Sequence, residues 1–153
     1  MSIRLSPDEA WDLLERSHTG ILTTLRRDGS PITLPTWFVT IDRTVCFMAP
    51  SRTKKISRIR HDPRASFLVE DGERWAELRA VHLSGEIEEI HDDATKARID
   101  AALDAKYAAF RTAKADMPSA TQDYYAGRSF FRLVPGQRVL TWDNRRLAVQ
   151  EST

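Results

Sequence analysis

Hydrophobic and polar positions first follow a helical period and then the period of two that strands require. The stretch SPDEAWDLLERS predicts an amphipathic helix, with Trp11 and Leu14 on one face. Ser6 caps this helix, Pro7 takes its first position, and Glu9 completes a capping box. The next thirty or so residues alternate and are rich in β-branched side chains, so we predict a β-meander.

The meander is predicted to contain three strands joined by tight turns. The strands are residues 21–26, 32–40 and 45–49. Asp28-Gly29 is a strong hairpin signal, and residues 41–43 form the second turn. Pro31 and Pro35 lack an N–H, which places them at a sheet edge, a strand start or a bulge.

The second half of the chain predicts further strands and a second main helix. The strands are residues 65–71, 75–90, 129–134 and 138–143; a short helix with Ile56 and Ile59 inward precedes them, and a long helix spans 92–110. Asp71-Gly72 is another turn signal, and Pro135-Gly136 separates the last two strands. Residues 112–128 carry no clear period.

About seven short strands and two main flanking helices predict a mainly β fold with helices, of the α+β class. Such a pattern, mostly joined by tight turns, is typical of an antiparallel barrel with helices at its ends. No repeat or linker interrupts the chain, so we expect a single domain over residues 1–153.

Composition narrows the classes of function. The 153 residues are 41% hydrophobic and 29% charged, with a net charge of +1, which argues against nucleic-acid binding by the whole surface. Cys46 is the one cysteine and lies in an apolar run, so we expect a core residue and a reducing compartment. No apolar run approaches the ~18 residues of a membrane span, and MSIRLSPDEAW has no signal segment. We expect a cytoplasmic protein without a membrane partner.

The sequence carries none of the usual catalytic motifs. It has no GxGxxG, Walker or G-x-S-x-G segment, and its four histidines lack metal-ligand spacing. Ser51 and Lys54 form an S-x-x-K pair without its companion motifs. We therefore expect no metal and no catalytic side chain, and an enzyme of this kind would rely on a cofactor.

The densest chemical signal is the stretch SRTKKISRIRHDPR, residues 51–64, in which six of fourteen positions are Lys or Arg. It follows an apolar strand and begins at a predicted helix N-terminus, where backbone N–H groups favour anions. Thr53 stands directly before Lys54 and Lys55. A hydroxyl, two cations and free amides suit a phosphate monoester, whereas a solvated helix face is the alternative.

The run TKKISRIRHDPRASF resembles the phosphate-binding segment of the pyridoxamine 5′-phosphate oxidase superfamily, the flavin-reductase-like split β-barrels. Its members commonly show Ser-Arg-Lys, a helical turn, and then Asn-Pro or Asp-Pro-Arg entering a strand. Thr53, Lys54 and Lys55 fall on the first part, and residues 62–64 on the second. GILTTLRRDGSPITLPTWF and TWDNRRLA are similar to the opening and the end of the family, so the likeness covers roughly residues 6–148.

This resemblance implies an FMN-binding-like split β-barrel that forms a homodimer, with the cofactor at the interface. The phosphate would lie on residues 53–55, the ring along PTWF, and Trp142 would approach from the second subunit. The implied cofactor-binding residues are Pro35, Thr36, Trp37, Ser51, Thr53, Lys54, Lys55, Arg79 and Trp142. Plain core packing is the alternative for both tryptophans, and an outward-facing strand charge is the alternative for Arg79.

The family includes FMN-dependent members and members that use the deazaflavin coenzyme F-420. The chain lacks the Arg-x-x-Leu-x-Lys pattern of the true vitamin oxidases and is more similar to the small deazaflavin-dependent reductases. The resemblance thus implies hydride transfer from reduced coenzyme F-420 to an unsaturated small organic substrate, with Arg52, Arg58 and Arg60 available to tail carboxylates. An FMN-dependent oxidoreductase and a non-enzymatic carrier of flavin, deazaflavin or haem are the alternatives. Residues 112–128 are expected to help form the substrate pocket.

Overall fold

The structure, a computed structural model, describes residues 2–147 as four helices, seven strands and four short 3-10 turns. The helices are α1 (Pro7–Arg16), α2 (Lys54–His61), α3 (Asp93–Tyr107) and α4 (Ser119–Tyr124). The strands are β1 (Gly20–Leu25), β2 (Pro31–Thr36), β3 (Val39–Ile41), β4 (Thr44–Pro50), β5 (Arg64–Asp71), β6 (Arg79–Ile90) and β7 (Arg128–Asp143). The 3-10 turns span residues 75–77, 108–110, 114–116 and 144–146.

All seven strands form one antiparallel sheet in the order β2-β1-β5-β6-β7-β4-β3. Strands that lie far apart in this order share one core, because Leu22 of β1, Phe67 of β5 and Phe47 of β4 belong to the same buried cluster. The sheet is therefore curled into the predicted split β-barrel. None of the helices in residues 2–147 is long and apolar enough to cross a membrane.

The two main helices cover different parts of this sheet. In α1, the Ser6 hydroxyl accepts from the Glu9 N–H at 3.3 Å while the Glu9 carboxylate accepts from the Ser6 N–H at 2.7 Å, which confirms the capping box. Leu13 and Leu14 of α1 enter the barrel core. Helix α3 forms a second core with β3, β4 and β7, in which Cys46 is buried.

The predicted strand 32–40 is interrupted, so it forms β2 and β3 instead of one element. The Tyr107 hydroxyl, which arrives from the end of α3, accepts from the Phe38 N–H at 2.9 Å and lies 2.9 Å from the Phe38 carbonyl oxygen. These contacts occupy the backbone groups that a strand ladder would use, and the chain changes sheet edge at this point.

The two predicted strands 129–134 and 138–143 instead form one strand, β7, that continues through Pro135-Gly136. The ladder between β6 and β7 shifts register between Leu83 and Gly85, so an irregularity takes up the proline. Gly85 is required there, because a Cβ at this position would lie 2.0 Å from the Val134 carbonyl oxygen.

The predicted strand 75–90 begins later than expected. Residues 75–77 form a 3-10 turn, and β6 starts at Arg79. The Glu77 carboxylate accepts from the N–H groups of Glu73 and Arg74, at 3.4 and 3.3 Å, which stabilises a turn in place of an extended chain.

Candidate functional site

A cleft of about 340 Å³ opens where the ends of β2 and β4 meet the start of α2 and the segment that follows α3. Most of its lining is apolar or aromatic. The lining residues are Pro35, Thr36, Trp37, Met48, Ala49, Pro50, Thr53, Lys55, Leu103, Arg111, Tyr124 and Tyr125. The described residues that line the cleft include two cationic side chains and no carboxylate, so the cleft favours anionic ligands.

One wall of the cleft is formed by the start of α2. Thr53 is the N-cap residue, a position whose hydroxyl normally accepts from an N–H of the first helical turn. Here the Thr53 hydroxyl makes no such bond, and its oxygen is buried without a hydrogen-bond partner among the described residues. A buried hydroxyl left in this state costs free energy, and an anion in the cleft would satisfy it.

Lys55 lies beside Thr53 and also faces the cleft. No carboxylate lies within salt-bridge distance of its ammonium group in the part of the chain that the structure describes. Burial, and next the charge of Arg58, hold the pKa of Lys55 below its ordinary value. A bound anion would supply the missing counter-charge of Lys55. Thr53, Lys55 and the first backbone amides of α2 together suit a phosphate group.

The opposite wall is aromatic. The Trp37 indole stacks on the Tyr107 ring, with centroids 4.3 Å apart and planes 9° from parallel. Trp37 remains 41% exposed even though Tyr107 covers one face of its ring. The indole is therefore fixed by a buried partner while part of it stays available to a planar ligand in the cleft.

Five of the nine predicted site residues line this cleft: Pro35, Thr36, Trp37, Thr53 and Lys55. Two more lie near it without lining it. Lys54 is exposed on the first turn of α2. The Ser51 hydroxyl lies 3.3 Å from the Ser129 hydroxyl, and its backbone N–H donates to the Gly127 carbonyl.

Arg79 and Trp142 do not line the cleft. Arg79 donates two hydrogen bonds to Asp71 and borders a separate cavity of about 110 Å³. Trp142 pairs with Ala80 across β6 and β7 and is partly exposed. Neither residue contributes to the cleft of its own subunit, so a role for Trp142 at a cofactor ring requires a second subunit.

The additional cations of α2 differ in how they are paired. Arg60 donates to Glu89 through two hydrogen bonds of 3.0 and 2.7 Å, which leaves it away from the cleft. Arg58 donates to the buried Thr24 hydroxyl at 3.2 Å. The structure describes no carboxylate partner for Arg52, which is exposed.

Sequence patterns did not single out the wall formed by Met48, Leu103, Arg111, Tyr124 and Tyr125. Tyr124 and Tyr125 fall within residues 112–128, the segment that was expected to help form the pocket. No periodicity marks which of its side chains face inward, because Tyr124 and Tyr125 reach the cleft only where the end of α4 faces residues of β4 across it.

The family model described as pyridoxamine 5′-phosphate oxidase matches residues 6–138. The chain belongs to this family. Among curated proteins, no match is found.

Solved structures of the pyridoxamine 5′-phosphate oxidase family fold resemble the chain over most of its length. A conserved hypothetical protein from Mycobacterium tuberculosis is 28% identical with a TM-score of 0.82, covering 99% of this chain and 92% of that one. An F-420 reductase is 25% identical with a TM-score of 0.67, covering 88% of this chain and 98% of that one.

Other structures share the fold at lower identity. A FAD-binding protein from Mesorhizobium loti is 22% identical with a TM-score of 0.69, covering 90% of this chain and 94% of that one. A haem-binding protein from Mycobacterium smegmatis and a haem storage protein from Vibrio cholerae also adopt the fold. The fold therefore occurs with several redox cofactors, and the residues of the cleft must decide between them.

Proposed function

We propose that the protein is an oxidoreductase that transfers a hydride from reduced coenzyme F-420 to an unsaturated small organic substrate. The observation that carries this proposal is the buried Thr53 hydroxyl at the start of α2, which lies beside Lys55. Within residues 2–147, the hydroxyl has no hydrogen-bond partner and Lys55 has no carboxylate partner. A cofactor with a phosphate group would satisfy both side chains. The 25% identity to an F-420 reductase supports a deazaflavin as this cofactor.

The cleft suits the ring and the phosphate of such a cofactor in its chemistry. Its volume of about 340 Å³ falls in the range of roughly 300–1,000 Å³ that is typical of small-molecule sites. Its apolar lining suits a ring system, and its cationic start of α2 suits the phosphate. When bound in reduced form, the coenzyme supplies the hydride, which is chemistry that side chains alone do not provide.

The residues of this chain bind the cofactor, orient the two reactants and exclude water. Thr53 and Lys55 hold the phosphate, and the exposed Lys54 adds positive charge near them. Pro35, Thr36 and Trp37 shape the surface on which the ring lies. Holding both reactants in one orientation removes much of the entropic part of the barrier. The proton that completes the two-electron reduction comes from solvent.

An FMN-dependent oxidoreductase is the alternative within the same site, because FMN also carries a phosphate group on the chain attached to its ring. A carrier without turnover, for flavin, deazaflavin or haem, is the second alternative. Preference for FMN over coenzyme F-420 would favour the first alternative. Absence of turnover with an acceptor would favour the second.

The decisive experiment is an equilibrium titration of the apoprotein with coenzyme F-420 and, separately, with FMN, followed by fluorescence. Lys55→Ala should weaken cofactor binding by roughly 10- to 100-fold, because it removes a charge-assisted contact to phosphate. Arg60→Ala is the matched control, since Arg60 lies on the same helix but pairs with Glu89, and should change affinity by less than about twofold. Unchanged affinity in Lys55→Ala would contradict the placement of the phosphate.

Thr53→Val separates a ligand-binding role from a structural one. Because the hydroxyl has no partner in the described part of the chain, its loss should leave the stability of the apoprotein unchanged or raise it by up to about 1 kcal/mol. Cofactor affinity should fall by about 5- to 10-fold in the same variant. Loss of apoprotein stability without loss of affinity would show instead that the hydroxyl serves the fold.

A further inference from the structure

The cleft has a second cation, Arg111, that no step of the proposed cofactor binding uses. Arg111 lines the same cleft as Lys55 but belongs to a different wall, four residues after Tyr107, whose ring stacks on Trp37. Lys55 and Thr53 begin α2 and already account for the cofactor phosphate. The positive charge on the aromatic side of the cleft is thus available to a second anionic group.

Arg111 is held only weakly by the protein. One guanidinium nitrogen lies 3.1 Å from an Asp104 oxygen, and the two groups make no hydrogen bond of normal geometry. Asp104 is itself 60% exposed, so water competes for this contact. A guanidinium group has five N–H donors, and most of those on Arg111 are left for a ligand.

Other arginines of the molecule form bidentate ion pairs with a carboxylate. Arg128 makes two hydrogen bonds to Asp100, at 2.6 and 3.0 Å. Arg60 binds Glu89 in the same bidentate manner. Arg111 lacks this arrangement, and among the cleft-lining residues of the described chain there is no carboxylate to provide it.

We infer that Arg111 binds an acidic group of the acceptor, so the substrates of this reductase are unsaturated organic acids. This inference rests on the proposed function, because it takes Lys55 and Thr53 to be occupied by the cofactor. A carboxylate matches the fork of a guanidinium group, while the apolar lining from Met48 and Leu103 suits an unsaturated carbon chain. Arg111 is a specificity-determining residue in this assignment.

The test measures acceptor binding to the cofactor-loaded protein, followed by cofactor fluorescence. The probes are trans-cinnamate, sorbate and crotonate, each beside its neutral methyl ester. At least one acid should bind roughly tenfold or more tightly than its ester in the unmodified protein. Arg111→Gln should remove this preference while ester affinity and cofactor affinity stay within about twofold, and Arg111→Lys should restore part of it.

Asp104→Asn provides the complementary variant. It frees Arg111 from its internal neighbour, so acid affinity should rise by about two- to fivefold, which a purely structural role of Arg111 would not produce. The inference is overturned if no acid is preferred over its ester, or if Arg111→Gln weakens the cofactor and leaves acid preference unchanged. Failure of the cofactor to bind the unmodified protein would instead defeat the proposed function, and the inference with it.

Discussion

At the residue scale, Tyr107 links the core to the candidate site. Its hydroxyl accepts from the Phe38 N–H and lies within hydrogen-bond distance of two carbonyl oxygens, those of His18 at 2.7 Å and Phe38 at 2.9 Å. Its ring supports Trp37 at the wall of the cleft. One side chain therefore fixes the break between β2 and β3 and the orientation of the indole.

Tyr107→Phe should separate these two roles. It keeps the aromatic stack but leaves the buried Phe38 N–H without its partner, which should cost about 1–3 kcal/mol of unfolding free energy. Chemical denaturation measures this loss. Tyr124→Phe is the control, because Tyr124 is exposed and should change stability by less than about 0.5 kcal/mol. Equal stability of the two variants would show that the hydroxyl does not fix the strand break.

Lys106 is the residue for which pH dependence is expected. Its ammonium nitrogen is buried 4.0 Å from the centroid of the Phe38 ring and has no hydrogen-bond partner among residues 2–147. Burial lowers the pKa of Lys106 to about 8 despite the opposing charge of Glu15. The unfolded chain, with the ordinary pKa of 10.5, binds more protons between these two values. Stability from this group therefore increases as pH rises from about 8 towards 10.5.

Lys106→Met tests this sign. The variant removes the buried charge, so its stability advantage over the unmodified protein should be largest below pH 8 and shrink as pH approaches 10.5. Denaturant unfolding at a series of pH values gives the difference directly. A difference that stays constant with pH would mean that Lys106 titrates normally in the folded protein.

At the scale of elements, the features predicted correctly from the sequence are those that neighbouring residues determine. The Asp28-Gly29 and Asp71-Gly72 turns appear as expected, with φ of 83° at Gly29 and 95° at Gly72. The break between β2 and β3 was missed because its cause, Tyr107, lies some seventy residues away. The continuity of β7 was missed for a similar reason, since the pairing with Gly85 accommodates its proline.

The same division holds for the candidate site. Thr53 and Lys55 stand in one short motif, so their neighbourhood is readable from spacing. Arg111 and Tyr125 follow α3 and α4, and they reach the cleft only because these helix ends lie across it from β4, which no local pattern records. Residues in a motif could therefore be predicted, whereas the opposing wall could not.

Gly85→Ala should test the junction between β6 and β7. The added Cβ would lie 2.0 Å from the Val134 carbonyl oxygen, a backbone atom that cannot move without breaking the ladder. We expect a loss of about 3 kcal/mol of unfolding free energy. Gly136→Ala is the control on the facing strand, where the nearest approach is 3.3 Å, and should cost less than about 1 kcal/mol. Similar costs at both positions would argue against a specific requirement at Gly85.

At the scale of the whole molecule, exposed apolar side chains on the outer face of β7 are the feature that a monomer leaves unexplained. Leu140 is 61% exposed, and Trp142, two residues further on the same face, is 37% exposed. Along β6 their partners are His82 and Ala80. Large exposed apolar groups of this kind are typical of protein–protein contacts. We propose that a second copy of the chain covers them and receives Trp142 at its cleft.

Leu140→Lys should therefore weaken both dimer formation and cofactor binding, two properties that are unrelated within one subunit. A buried charge at the contact should shift the protein from dimer to monomer in sedimentation velocity. Because Leu140 lies outside the cleft of its own chain, cofactor affinity should fall only through loss of the partner's Trp142.

Trp142→Ala should lower cofactor affinity while the protein remains dimeric. Phe110→Lys, at an exposed apolar position outside β7, should leave the sedimentation unchanged. A monomeric protein that binds cofactor with full affinity would mean that each cleft is complete within one chain.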